Sequence, residues 1–251
     1  RKAVRGYIDQ AATVPAPEQV VALIAPHAGY IYSGPTAGHA FARVKGKKVG
    51  RVLLLGCSHR FRIPRASVVS RGTFSTPLGD FPIDSSFAAQ LAIETGSIDV
   101  EPHMLEHALE VQLPFIAESL GIVPIVPVLF GGTITDWHED LGRLLAQTLD
   151  PDDLVVTSTD LSHYLTDDGA KALDKETLAA IVAKDFWPFE RGVREGQFSA
   201  CGATAVAVAM AFALARGAEC WQVLDYRTSA EASGDANRVV GYGAVSMEFG
   251  A

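Results

Sequence analysis

Cysteine is scarce in this sequence, which has three cysteines among its 251 residues: Cys57, Cys201 and Cys220. No two of them have the Cys-x-x-Cys spacing of zinc knuckles, so a structural zinc site of that kind is disfavoured. A small, odd number of thiols in a chain of this length also argues against a disulfide framework. We therefore expect a reducing compartment, the cytoplasm.

Positively charged residues are also fewer than negatively charged ones. Lysine and arginine number 21 against 29 aspartate and glutamate residues, which gives a formal net charge of −8. An acidic chain exerts no long-range attraction on a phosphate backbone or an anionic lipid surface. We therefore expect no nucleic-acid partner and no membrane partner.

Long hydrophobic runs are missing as well, although the mean hydropathy is +0.18. A membrane-spanning helix needs about 20 consecutive apolar residues. The most apolar stretch, residues 201–215, is shorter and is followed by Arg216, so it predicts a buried helix. The sequence opens with Arg1-Lys2-Ala3 and shows no signal-peptide pattern. Because no methionine precedes Arg1, we expect a trimmed N-terminus.

Two kinds of segment alternate along the chain. Runs rich in branched apolar residues predict strands at 20–25, 51–55, 66–70, 122–129, 154–158, 221–226 and 239–248. Helical periodicity predicts helices at 35–44, 85–95, 107–120, 137–149, 171–184 and 202–216. This alternation predicts a layered α/β fold with a central, largely parallel or mixed β-sheet flanked by helices. Because no Pro- or Ser-rich linker interrupts the pattern, we expect a single domain over residues 1–251.

Histidines follow three of the predicted strands. His27 follows the strand at 20–25, His59 the strand at 51–55 and His163 the strand at 154–158. Ligands bind outside the carboxyl ends of the strands in open α/β sheets, so we expect these imidazoles at the edge where a site is built. Clustered imidazoles suit metal binding or acid–base catalysis, whereas a structural role is the alternative for each one.

Cys201 precedes the most apolar predicted helix, where the positive end of the helix dipole favours a thiolate. A thiolate binds metal or attacks carbon, but a small buried side chain is an equally good interpretation of this feature alone. Cys57 lies beside His59 in the sequence. Cys220 begins a predicted strand, which suggests a core position.

Two acidic residues stand near histidines. Glu106 precedes His107 at the start of the predicted helix 107–120, where a capping acid and a surface histidine are the plainer interpretation. Asp160 lies three residues before His163 and either orients an imidazole or caps the following turn.

Three further histidines carry weaker signals. His39 lies within a predicted helix and is expected in a packed or surface position. His103 and His138 stand among polar residues and are expected to be solvated.

Several short motifs together resemble one family of proteins. In chain order they are Pro26-His27-Ala28-Gly29-Tyr30, Gly56-Cys57-Ser58-His59, Thr76-Pro77-Leu78-Gly79, Glu106-His107 through Leu113-Pro114-Phe115, Ile125-Val126-Pro127-Val128-Leu129, Ser158-Thr159-Asp160-Leu161-Ser162-His163-Tyr164 and Cys201-Gly202. Their order is similar to that in the Memo family, whose prokaryotic members are called AmmeMemoRadiSam system protein B. The resemblance extends from about residue 20 to the C-terminus.

The resemblance implies a fold similar to that of class III extradiol ring-cleaving dioxygenases, which are non-haem iron enzymes. It also implies that His27, His59 and Cys201 surround a metal, iron or copper. His163 takes the position of a candidate acid–base histidine, and His107 that of a further pocket residue.

The leading hypothesis is a metal-binding protein, a non-haem redox or oxygenase-like enzyme that acts on an unidentified small-molecule substrate. Two imidazoles and a thiolate favour iron(II), copper or zinc over magnesium or calcium, and iron(II) is the first candidate. In this hypothesis His163 is the acid–base catalyst, and Asp160 and His107 support the metal ligands. The family name also suggests a functional link to a radical SAM enzyme and an AMMECR1-type protein.

Two alternatives stay open. The first is a metal-free cysteine hydrolase in which Cys201 is the nucleophile, His163 or His59 is the base and Asp160 orients the base. The second is a non-catalytic adaptor that engages phosphorylated partners. A basic cluster beside His59 would serve such an adaptor, although a solvated loop is the plainer interpretation of its members, Arg60, Arg62 and Arg65.

Overall fold

The computed structural model of the chain describes residues 1–11, 19–96 and 100–250. Its strands are β1 Val20–Ala25, β2 Val52–Cys57, β3 Ala66–Val68, β4 Thr73–Thr76, β5 Gly79–Pro82, β6 Ile125–Phe130, β7 Leu154–Ser158, β8 His163–Leu165, β9 Cys220–Thr228 and β10 Val239–Glu248. Its helices are α1 Lys2–Ala11, α2 Tyr30–Ala42, α3 Ser85–Thr95, α4 Glu101–Met104, α5 Leu113–Ser119, α6 Asp136–Thr148, α7 Asp167–Val182, α8 Phe186–Arg194, α9 Ala203–Ala215 and α10 Ala230–Ser233.

Eight strands of the described chain form a mixed central sheet. Seven of them follow the order β3-β6-β2-β7-β1-β10-β8, and β9 also pairs with β10. The strands β6, β2, β7 and β1 are parallel, whereas β3, β8, β9 and β10 pair antiparallel with their neighbours. Helices pack against this sheet, and β4 and β5 form a separate hairpin. The predicted α/β fold with a mixed sheet is therefore confirmed.

The four parallel strands are almost wholly buried. Every residue of β2, β6 and β7 is buried, as is all of β1 after its first residue. Strands covered on both faces have continuous apolar runs, which is why the runs at 20–25 and 154–158 predicted the bounds of β1 and β7. Val155 of β7 lies opposite Ala22 of β1 and Leu53 of β2. The carboxyl ends of three neighbouring strands therefore meet at one edge of the sheet.

The crossover connections place helices on both faces of the sheet. The chain passes from β1 to β2 in one direction across the sheet through α2, and from β6 to β7 in the opposite direction through α6. Because parallel crossovers are right-handed, α2 and α6 lie on opposite faces.

The apolar helix α9 lies directly on the sheet. It contacts β1, β2, β6 and β7, and all of its residues from 203 to 213 are buried, as the stretch at 201–215 predicted. Helix α6 packs closely against it at Gly142, where a Cβ atom would lie 2.5 Å from the Cβ of Ala211. Within the described ranges of the chain, no helix has the length and apolar character needed to cross a membrane.

The predicted helix at 107–120 is not continuous. A 3-10 turn at Glu110–Gln112 precedes α5, which begins at Leu113. Pro114 has no N–H group to donate and therefore fits only in the first turn of a helix. The sequence pattern also missed six parts of the structure: α1, α4, α8, α10, β8 and the β4–β5 hairpin.

Two histidines that were expected in solvent, His103 and His138, are instead buried. His103 Nε2 lies 3.1 Å from the carbonyl oxygen of Ser67. His138 Nδ1 accepts the backbone N–H of Thr135 at 3.1 Å and so caps the start of α6. Burial lowers the pKa of His138 to about 4, which keeps this ring neutral at pH 7.

Gly142 and Gly6 form a matched pair for a stability measurement, because both lie inside helices but only Gly142 is crowded. We expect Gly142→Ala to lower the free energy of unfolding by about 1–3 kcal/mol, since added atoms force close-packed helices apart. Gly6→Ala, whose Cβ meets nothing within 4 Å, is expected to raise it by about 0.5–1 kcal/mol. Urea denaturation measures both changes. A Gly142 variant as stable as the wild type would contradict the close contact between α6 and α9.

Candidate metal centre

Histidine and cysteine side chains converge at the carboxyl edge of β1, β2 and β7. His27 follows β1, Cys57 ends β2, His59 follows β2, and Cys201 precedes α9. One ligand atom from each of these four residues lies within 4.8 Å of the ligand atoms of the other three. The structure thus brings His27, His59 and Cys201 together and adds Cys57 to them.

Hydrogen bonds favour the thiolate form of Cys201. Its Sγ lies 3.3 Å from His27 Nε2 and accepts the backbone N–H of Asp160 at 3.3 Å. A hydrogen bond with Cys57, followed by those with His27 and His59, lowers the pKa of Cys201 well below its usual value, although burial opposes the shift. These contacts therefore favour the thiolate of Cys201 over its thiol.

Cys57 has the opposite character. Its hydrogen bond to Cys201 and its burial both raise the pKa of this thiol, so Cys57 keeps its proton. Its Sγ also lies 3.6 Å from His59 Nε2. The sequence showed Cys57 only as a neighbour of His59, because its pairing with Cys201 joins residues that are distant in the chain.

Gly202 lets the Cys201 segment approach β7 closely. A Cβ atom at Gly202 would lie 2.8 Å from the carbonyl oxygen of Ser158 and 3.0 Å from the Cβ of Thr159. The Cys201 N–H donates to the carbonyl of Asp160 at 3.1 Å, and the Gly202 N–H donates to Thr159 Oγ1 at 2.8 Å. A larger residue after Cys201 would push the thiolate away from the imidazoles.

Ser158 contacts Nδ1 of His27, the ring nitrogen that lies away from Cys201. The Ser158 hydroxyl donates its single proton to the carbonyl of Ala108 and accepts from Gln112 Nε2 at 2.9 Å. It must therefore also accept from His27 Nδ1, which lies 2.9 Å away. Nδ1 thus carries a proton, and Nε2 faces Cys201. Burial alone would lower the pKa of His27, but the hydrogen bond to Cys201 and a nearby carboxylate raise it.

Glu106 orients His59 in the same way. Its carboxylate accepts the His59 backbone N–H at 2.6 Å, His59 Nδ1–H at 2.9 Å and the Ala108 N–H at 3.0 Å. Burial would raise the pKa of Glu106, but these hydrogen bonds lower it to about 2. Hydrogen bonds to Cys201 and Glu106 raise the pKa of His59 to about 10. Sequence reasoning favoured a helix cap for Glu106 and missed this pair, whose only visible signal was an acid beside a histidine.

His107 lies on the solvent side of the cluster. Its ring stacks on that of His59 with centroids 5.1 Å apart and meets the His27 ring edge-on at 5.6 Å. Burial and the charge of His27 lower the pKa of His107. Since 53% of its side chain is exposed, His107 borders the open side of the cluster.

Asp160 and His163 lie after β7. Asp160 is buried, and its Oδ1 accepts the backbone N–H of His27 at 2.8 Å. Burial raises the pKa of Asp160, while the charges of His27 and His163 oppose the shift. His163 Nδ1 donates to the carbonyl of Leu161 at 2.9 Å. In the part of the chain that the structure describes, His163 stands outside the converging ligand atoms. Asp160 contacts the cluster through His27 and through its own N–H, which donates to Cys201 Sγ.

Other predicted candidates lie away from the cluster. Cys220, expected in the core, is half-buried at the start of β9, near the amino end of β1 and thus at the opposite edge of the sheet. The basic cluster is exposed, as a solvated loop would be, and Arg65 lies over the ring of Trp137.

The fold is similar to that of a solved structure, the uncharacterised protein JW3007 from Escherichia coli K12. The two superpose with a TM-score of 0.62 over 91% of this chain and 100% of that chain, at 15% sequence identity. This likeness concerns the fold alone.

The sequence is similar to MEMO1 family proteins of archaea. Ta0237 from Thermoplasma acidophilum is 32% identical over 226 residues, which cover 89% of this chain and 84% of that protein. MTH_45 from Methanothermobacter thermautotrophicus is 33% identical over 234 residues, which cover 91% and 84%. A family model described as Memo-like protein matches residues 1–246. The chain therefore belongs to the Memo family, as its motifs suggested.

Proposed function

We propose that His27, His59 and Cys201 bind a transition-metal ion and that the protein is a redox or oxygenase-like enzyme acting on a small molecule. The observation that carries this proposal is the convergence of two imidazole nitrogens and the sulfur of Cys201 within 4.8 Å. The far ring nitrogens are already engaged, His27 by Ser158 and His59 by Glu106. Such outer partners are typical of metal-binding histidines.

The donor set favours a soft or borderline metal. Thiolate and imidazole ligands suit iron(II), copper and zinc, whereas magnesium and calcium prefer oxygen ligands. We therefore propose iron(II) first, with copper or zinc as alternatives. When bound, a redox-active metal would exchange electrons with an oxidisable substrate.

The neighbouring residues would orient the ligands and move protons. Because His163 Nδ1 is committed to a backbone carbonyl, its Nε2 is available to accept or donate a proton. Asp160 fixes the backbone of His27. The side chains of His59 and His107 are 34% and 53% exposed, so a small molecule would approach from their side.

The contact between Cys201 and His27 favours a second candidate, a metal-free cysteine nucleophile. A thiolate 3.3 Å from an imidazole Nε2 is the ion pair that activates cysteine in hydrolases. The imidazole at this distance is His27, which the sequence-based hydrolase hypothesis did not name. A nucleophile needs one imidazole, so this candidate leaves the His59–Glu106 pair without a role.

Metal content tests the ligand set. We expect His27→Ala, His59→Ala and Cys201→Ser each to weaken metal binding by more than the roughly 10–100-fold that the loss of an outer partner costs. Elemental analysis of protein purified without chelator or affinity-tag metal, followed by anaerobic titration with iron(II), measures this loss.

Two variants serve as matched controls, since Cys220 and His39 lie outside the converging ligand atoms of the described chain. Cys220→Ser and His39→Ala should bind metal as the wild type does. Wild-type binding in the three ligand variants would refute the site. A wild type that stays metal-free after anaerobic reconstitution would favour the cysteine nucleophile.

Glu106 offers a test of the support for His59. Glu106→Gln removes the negative charge that holds His59 Nδ1–H, and we expect metal affinity to fall by about 10–100-fold. Glu94→Gln, at an exposed position of α3, is the control and should have no effect. Unchanged affinity in the Glu106 variant would show that His59 is oriented without its carboxylate.

A variant at His163 distinguishes a role in turnover from a role in metal binding. We expect His163→Ala to retain bound metal, because the ring lies outside the converging ligand atoms of the described residues. The same variant should lose oxygen consumption with any catechol or other oxidisable small molecule that the wild type turns over. Full activity would remove His163 from the mechanism, and loss of metal would place it among the ligands.

A further inference from the structure

Cys57 has no role in the proposed metal chemistry, yet its sulfur belongs to the same cluster. The sulfurs of Cys57 and Cys201 lie within 4.8 Å of each other. The third cysteine, Cys220, lies at the opposite edge of the sheet. The fold therefore pairs two of the three thiols of the chain and keeps the third apart.

Backbone hydrogen bonds hold both members of this pair in position. Cys57 is the last residue of β2 and pairs with Phe130 of β6. Cys201 donates its N–H to the carbonyl of Asp160, just after β7. Since β7 is the neighbour of β2 on its other side, the two sulfurs come within 4.8 Å of each other at the ends of adjacent strands. Thiols held in this way are well placed to form a bond.

The two thiols differ in access. Cys57 is 6% exposed, whereas Cys201 is half-buried, so Cys201 is the more accessible residue of the pair. Redox-sensing cysteines typically combine an accessible reactive thiol with a second thiol that resolves its oxidised form. Cys201 fits the first description, and Cys57 fits the second.

We propose that Cys57 and Cys201 are a redox pair that forms an intramolecular disulfide on reaction with hydrogen peroxide or an alkyl hydroperoxide. Cys201 is the sulfur that attacks the peroxide, and Cys57 is the resolving thiol. The proposal depends on the placement of the two sulfurs and is independent of whether the cluster binds metal.

The reaction consumes one peroxide for each disulfide. The Cys201 thiolate attacks a peroxide oxygen and the O–O bond breaks, which gives a sulfenic acid and a hydroxide, or an alkoxide, that takes up a proton. The sulfur of Cys57 then attacks the sulfur of Cys201, the S–O bond breaks, and water leaves with the proton of Cys57. The two thiols lose two electrons, and the peroxide gains them.

This disulfide would change what the cluster can hold. A sulfur in a disulfide is no longer a thiolate and cannot serve as a metal ligand. On the proposed function above, oxidation would therefore release the metal, and reduction would restore the site. Peroxide would thereby inactivate the metal centre reversibly.

Thiol counting and peptide mapping on the chelator-treated protein of residues 1–251 test the proposal. After treatment with a small excess of hydrogen peroxide, free thiols measured under denaturing conditions should fall from three to about one for each chain. Tryptic digestion should yield residues 52–60 linked to residues 195–216, and dithiothreitol should separate them. Three remaining thiols, or a bond that involves Cys220, would overturn the proposal.

Variants distinguish the roles of the two sulfurs. In Cys57→Ala, no intramolecular bond should form, and dimedone should label the sulfenic acid at Cys201. Cys220→Ser should still lose both of its thiols. Dimedone labelling at Cys57 in Cys201→Ala, without labelling at Cys201 in the first variant, would reverse the assignment and refute the proposed order. The wild-type peptide map needs no substitution and decides the bond itself.

Discussion

The pairing of β7 between β1 and β2 is the constraint on which the candidate site depends. Its register sets Ser158 opposite Ala25, just before His27, and Thr157 opposite Leu55, two residues before Cys57. Three loops therefore leave the sheet side by side. A slip of one residue would turn every side chain of β7 to the other face and take the Ser158 hydroxyl away from His27. The positions of the reactive side chains are thus fixed by the register of three buried, largely apolar strands.

The segment of residues 106–109 contacts the hydrogen-bond partners of both histidines. Ala108 donates its N–H to Glu106, which holds His59, and offers its carbonyl to Ser158, which holds His27. The same segment packs on β2, since a Cβ at Gly56 would lie 2.6 Å from a methyl carbon of Leu109. The two imidazoles therefore share one backbone support, and a disturbance of residues 106–109 would move both of them.

Much of the fold could be predicted because buried strands and buried helices leave plain patterns in the sequence. The bounds of β1, β7, β10 and α3 agreed with the prediction, and the apolar run at 201–215 was correctly assigned to a buried helix. Placement after strands likewise indicated that His27 and His59 would lie together, whereas His163, which also follows a strand, lies outside the converging ligand atoms of the described residues. The family followed from short motifs, because these record the chemistry of the loops more directly than hydrophobic periodicity does.

The rest depends on specific side-chain contacts, most of them between distant residues, which periodicity does not encode. His103 and His138 were wrongly expected in solvent, because their hydrogen-bond partners in β3 and at the start of α6 remove the cost of burial. The pairings of Glu106 with His59 and of Cys57 with Cys201 were missed for the same reason. In each case the residue type could be read from the sequence, but its hydrogen-bond or sulfur partner was identified only from the structure.

The order of the strands also has a consequence for how the protein is made. β1 is among the first elements of the chain, but its two neighbours in the sheet, β7 and β10, come much later. As the chain leaves the ribosome, β1 has neither neighbour until most of the sequence has been translated, and such distant pairings form slowly. Cys201 is the last residue of the cluster to emerge. The nascent chain thus exposes its histidines long before it can assemble the centre they belong to.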